Sequence, residues 1–146
     1  MPFHAARGIV LLLLLYVTGV NTAVAYDSSR LREAAGAYIR MVDFVNQFER
    51  SQCGFVRTRK RGLAGSEQAV YKALNHRDGK EFKKFLHSDI FRKNQAVNRQ
   101  MLNTAIDDGI KTHDLNTVCE TLSTRIEQLY KKKLKRWRAA VKRFGR

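Results

Sequence analysis

Apolar residues recur every three or four positions along most of this chain, the spacing that gathers them on one face of an α-helix. In SSRLREAAGAYIRMVDFVNQFERSQCGF, Leu31, Ala35, Tyr38, Val42, Val45 and Phe48 form one such stripe. Asp27, Ser28 or Ser29 offers this helix an N-cap, and Gly54 offers it a stop. A second, shorter helix is expected to open at Ser66-Glu67 and run to about His76, turning Val70, Ala73 and Leu74 inward. Gly62 and Gly65 mark the loop before it, and Asp78-Gly79 reads as a turn after it. A third helical stretch starts near Lys80, with Phe82, Phe85 and Leu86 on one side. Past Ser88-Asp89, a kink or a fresh cap, its apolar side becomes Ile90, Val97, Met101, Ala105 and Ile106, and Asp108-Gly109 ends it. The last helix, about 115–144, is the longest. Asp114 or Thr117 caps it, Thr117 and Glu120 having the spacing of a capping box. Leu115, Val118, Leu122, Ile126 and Leu129 open its stripe, and Leu134, Trp137, Val141 and Phe144 continue it. Nothing beyond residue 25 alternates as a strand does, and the only Pro is Pro2. The pattern predicts an all-α fold, a small bundle of four or five helices without internal repeats.

The first 25 residues, MPFHAARGIVLLLLLYVTGVNTAVA, break this rhythm. A short segment with Arg7 precedes an apolar run from Ile9 to Val17, and small residues lead to Ala23-Val24-Ala25. These are the three parts of a secretory signal peptide cleaved after Ala25. The run is too short to cross a hydrocarbon core of ~30 Å, which takes ~20 residues. Residues 1–25 are thus expected to be a signal peptide and 26–146 a single helical domain, secreted or periplasmic. In such a compartment the two cysteines, Cys53 and Cys119, are expected to form a disulfide. Cys53 falls at the end of the first helix and Cys119 at the start of the last. Their bond predicts that these helices lie antiparallel, returning the end of the last helix to the start of the first.

Charge sharpens the picture at one place. The chain carries 28 Lys and Arg against 13 Asp and Glu, and nine of the bases lie in its last sixteen residues, KKKLKRWRAAVKRFGR, with no acid. A secondary cluster, Arg57, Arg59, Lys60 and Arg61, crowds the loop RTRKRG; Lys60-Arg61 is also a dibasic processing site for a eukaryotic host. Wrapped on a helix, Lys131, Lys132, Lys135, Arg136, Arg138, Lys142 and Arg143 face away from the Leu134–Trp137–Val141–Phe144 stripe, and only Lys133 departs from the partition. Attraction to the helix macrodipole fades within the last turn, so it does not account for the whole run. The stripe itself has two readings: packing on the first helix, or contact with lipid with Trp137 as anchor. Under both, the cations form a binding surface. Its partner is expected to be an anionic surface, such as an envelope lipid, a glycan or another polyanion. Peripheral membrane contact and nonspecific phosphate binding to nucleic acid belong to the same chemistry. An adaptor or inhibitor/immunity-type protein docking on an acidic protein is the alternative, and a membrane-disrupting cationic effector is the third reading.

Catalytic signals are weak by comparison. His76, His87 and His113 fall in different elements, and no H-E-x-x-H, G-x-S-x-G or phosphate-loop signature occurs. A metal site from Asp108, His113 and Asp114 competes with the simpler use of both acids at helix ends. Glu67 and Glu81 are a carboxylate pair that nothing singles out. The expectation is a non-enzymatic binding protein with no catalytic residues, metal or cofactor.

Overall fold

The computed structural model describes residues 27–56 and 63–145. The leader and its cleavage site, the loop bases Arg57, Arg59, Lys60 and Arg61, and Arg146 therefore lie outside the described residues. The described chain folds into five helices: α1 (Ser28–Glu49), α2 (Leu63–Ala73), α3 (His76–Leu86), α4 (Asp89–Gly109) and α5 (Leu115–Phe144). No strand occurs among the described residues.

α1 is the central element, because every other helix packs against it. Its buried side chains include the expected stripe and also Ile39, Met41 and the acid Asp43, so it is covered on more than one side. The Asp27 carboxylate caps it, accepting from the Arg30 amide at 3.1 Å. The helix stops at Glu49, not at Gly54. There the Ser51 hydroxyl donates to the Phe48 carbonyl (2.6 Å) while its oxygen accepts from the Cys53 amide (3.1 Å), folding the chain into turns before the glycine.

The second and third helices also differ from expectation. α2 starts at Leu63, so Gly65 and Ser66 lie inside it, and it ends at Ala73. Ser66 is fully buried and accepts a hydrogen bond from the Tyr38 hydroxyl at 3.3 Å. Asp78-Gly79 is not a turn. The Asn75 side chain caps α3 by accepting from the Asp78 amide (2.8 Å), which draws both residues into the first turn. Asp78 is itself buried; it accepts from the Ser28 hydroxyl at 2.9 Å and faces Arg32 Nε at 3.9 Å. Ser88 is a fresh cap, accepting from the Phe91 amide at 3.2 Å.

α4 follows, and its buried face is a correction. Phe91, Leu102 and Ile106 point inward, whereas Ile90, Val97 and Met101 are 71, 51 and 59% exposed, and Ala105 is exposed too. The reason is the buried carboxylate on α1. Asp43 is 1% exposed and takes hydrogen bonds from Gln95 Nε2 and Asn98 Nδ2, both at 2.9 Å, and from Gln47 Nε2 at 3.4 Å. Turning the amide face of α4 inward satisfies that acid; turning the aliphatic face inward would strand it. Asp43→Ala leaves the buried Gln47 amide and the half-buried Gln95 and Asn98 amides without their acceptor and is expected to destabilise the fold by about 2 kcal/mol, read from a urea midpoint. At the far end of α4, a Cβ on Gly109 would come within 2.8 Å of Val118 Cγ1, so the close approach to α5 needs glycine there.

α5 is capped by Asp114. Its carboxylate accepts from the Thr117 hydroxyl (2.7 Å) and amide (3.0 Å), and these two bonds hold it below the ordinary carboxylate range. Thr117 is thus in the first turn, and the Thr117–Glu120 box is not the cap. Cys53 and Cys119 are bonded and fully buried, fixing the start of α5 beside the end of α1. The two helices run antiparallel. At the opposite end the Asp27 amide donates to the Phe144 carbonyl (3.3 Å), and the Arg30 guanidinium lies 5.4 Å from the centre of the Phe144 ring. Leu129 leaves the expected stripe and is 49% exposed.

Candidate functional site

The C-terminal half of α5 has an inner and an outer side of different chemistry. The inner side is core. Trp137 is 4% exposed and lies parallel to Tyr38, the ring centres 5.9 Å apart, and the Tyr130 ring is tilted against Tyr38 with centres 6.2 Å apart. Leu134, Val141 and Phe144 are partly buried against the same cluster. Of the two readings of the stripe, packing on α1 is the one realised, and Trp137 is enclosed by protein instead of standing at the surface.

The outer side carries Lys131, Lys132, Lys135, Arg136, Arg138, Lys142 and Arg143, all exposed. None of them closes an ion pair among the described residues; the acids within reach of a base elsewhere are already taken by Arg30, Arg32, Lys84, Arg92 and Lys111. Helical spacing divides these cations into two rows. Lys131, Lys135, Arg138 and Lys142 run four, three and four residues apart on the side toward α2. Lys132, Arg136 and Arg143 run on the side toward the start of α1. Each row spans roughly 17 Å at 1.5 Å per residue.

A groove lies beside each row. Arg138 and Lys142 edge one of about 500 Å³, whose floor is Tyr38, Tyr130 and Trp137 and whose far wall is Ala69 of α2. Arg136 and Lys133 edge another, with Arg30 and Glu33 of α1 across it. Lys133, the residue that breaks the partition, is accordingly half-buried. Arg143 also lies 5.3 Å from the Phe144 ring centre, which fixes its guanidinium near the tip. The arrangement can do one thing chemically: present many hydrogen-bond donors and positive charges to phosphate, carboxylate or sulfate groups spaced along a surface.

The residues weighed for catalysis are dispersed. His76 opens α3 and His87 caps its other end, so these two share one helix instead of falling in different elements, with roughly 16 Å of helix between them; His113 sits in the loop before α5. Asp108 pairs with Lys111 at 2.7 Å, and Asp114 serves as a cap, so the Asp108–His113–Asp114 set does not converge. Among the described residues no group of three His, Cys, Asp or Glu is arranged to hold a metal. Glu81 pairs with Lys84 at 2.9 Å, whose hydrogen bond and charge lower its pKa. Glu67 instead borders a groove between α2, α3 and α4, with Tyr71, Lys83, His87 and Gln95. Burial and the charge of Glu67 raise the Tyr71 phenol above its usual range, so Tyr71 stays protonated. Sequence reasoning missed this groove because its members come from three helices and share no spacing. No described helix is long and apolar enough to cross a membrane. No protein-family model, curated protein or solved structure matches this chain.

Proposed function

We propose that this is an exported, non-enzymatic binding protein whose two cation rows on α5 engage an anionic surface, an envelope lipid or glycan before other polyanions. One observation carries the reading: seven exposed bases, none in an ion pair among the described residues, stand on a helix whose apolar side is already committed to the core. A helix held in this way cannot exchange partners through its apolar face, so its recognition is electrostatic and its rigid backbone fixes the charge spacing. The buried Cys53–Cys119 bond supports an oxidising compartment, and the leader pattern of residues 1–25 supports export. Burial of Trp137 and the packing of half-buried Leu134 against the core argue against membrane disruption, since insertion of α5 would first have to strip it from α1.

The test compares binding to vesicles with and without anionic lipid across a salt series. Each Lys or Arg near an anionic bilayer contributes about 1 kcal/mol. Changing Lys131, Lys135, Arg138 and Lys142 together to Gln is therefore expected to weaken binding roughly 10²–10³-fold, with melting unchanged. Equal binding by this variant and the parent would refute the reading. Capture of one acidic protein at fixed ratio, with no affinity for vesicles or acidic glycans, would replace it with the adaptor.

A further inference from the structure

The side of α4 that faces away from the bundle has a pattern unlike an ordinary solvated surface. Ile90, Asn94, Val97, Met101, Thr104 and Asp108 follow one another at intervals of four, three, four, three and four residues, the repeat of a two-helix seam. The seam runs about 27 Å at 1.5 Å per residue. Ile90, Val97 and Met101 are its apolar members, and no described element covers them. Asn94 Nδ2 is the one buried side-chain polar atom without a hydrogen-bond partner among the described residues.

The charges beside this seam are self-complementary. Lys93 stands on its flank near the start of α4, Asp107 on the same flank near the end, and both are exposed. Neither closes an ion pair among the described residues. If a second copy of α4 packs antiparallel about a two-fold axis near residue 99, Val97 meets Met101 at the centre. Asn94 then meets Thr104, whose hydroxyl can accept from the amide once Asn94 turns outward. Lys93 of each copy faces Asp107 of the other, giving two symmetry-related ion pairs. Asp108, which meets Ile90 at the rim, already has its charge answered by Lys111 at 2.7 Å. A parallel pairing would set Asp108 against Asp108 and leave Lys93 without an acid. From this we infer that α4 is a homodimerisation helix, pairing antiparallel with α4 of a second copy of this chain. The surface is separate from the cation rows on α5, so dimerisation does not depend on the binding role proposed for them.

One helix side makes a small interface, at the low end of specific contacts (below ~1,200 Å²), so the dimer is expected to be in exchange with monomer at on the order of micromolar concentration. Sedimentation of the purified protein across a concentration series, at ~0.15 M salt to screen the net positive charge, should take the mass from one chain to two. Lys93→Glu and Asp107→Lys each turn both ion pairs repulsive and should raise the concentration of half-dimerisation at least about tenfold. Mixing these two variants should restore association as a heterodimer. The acid introduced in one chain then faces the base introduced in the other, and the remaining Lys93 faces the remaining Asp107. Met101→Glu should leave a single chain at every concentration while the helical signal and melting stay those of the parent. A single-chain mass throughout, or a dimer indifferent to Met101→Glu, overturns the proposal. A mixture of charge variants that fails to associate overturns the antiparallel pairing.

Discussion

Trp137→Ala is expected to lower stability by about 3–5 kcal/mol, the range for removing a buried indole from a core. The side chain sits between the cationic tip of α5 and the middle of α1, parallel to the Tyr38 ring and offset from it, with the ring centres 5.9 Å apart. Truncation would open a cavity there and loosen Tyr130, which shares the Tyr38 ring. The loss is large beside a total stability of ~5–15 kcal/mol for a small domain. Denaturant unfolding followed by circular dichroism measures it directly. The same variant separates two roles for this residue. If Trp137 belongs to the core alone, vesicle binding by the folded fraction should keep the parent's affinity and salt dependence; an anchor in contact with lipid would lose affinity even where the protein is folded.

Removing the Cys53–Cys119 bond is the second large effect. The cysteines are 66 residues apart in sequence, so the bond closes a long loop in the unfolded chain. In the chain-entropy model that closure stabilises the native state by about 4 kcal/mol. Cys53→Ala with Cys119→Ala should therefore cost about that much, or about 15 °C in melting temperature at roughly 4 °C per kcal/mol. Scanning calorimetry of the variant beside the parent checks it. Because both sulfurs are fully buried, the folded parent should resist a mild reductant that reduces the unfolded chain readily. A parent that loses its bond equally fast in both states would mean the α1–α5 junction opens often.

The elements most legible in the sequence are those with the strongest single stripe. Leu31 through Phe48, and Leu115 through Phe144 with the exception of Leu129, have an apolar side decisive enough to set their facing. The two cysteines then set their antiparallel pairing. α4 was misread for a specific reason. Counting apolar residues favours the Ile90–Val97–Met101 side, but the sequence alone does not reveal that Asp43, far upstream of Gln95, is buried and needs amide donors. A single polar residue in the middle of α1 thus fixes the facing of a helix distant in sequence. The Asp78-Gly79 pair failed as a turn signal for a more local reason: Asn75, just before it, already offered a side-chain acceptor to the Asp78 amide. At the candidate site, charge was legible residue by residue, because a like-charged run needs no partner to be recognised. The division into two rows, and the enclosure of Trp137 between them and α1, depended on which face the core had taken.

The hydrogen bond between the Asp27 amide and the Phe144 carbonyl has a practical corollary. The described chain begins and finishes at one pole, the pole where the cations are densest. A tag, a lipid anchor or an immobilising bead joined directly before Asp27 or directly after Gly145 would hang over that region and mask it. Attachment through the Lys111–His113 loop, at the opposite pole beside the disulfide, would leave it facing outward.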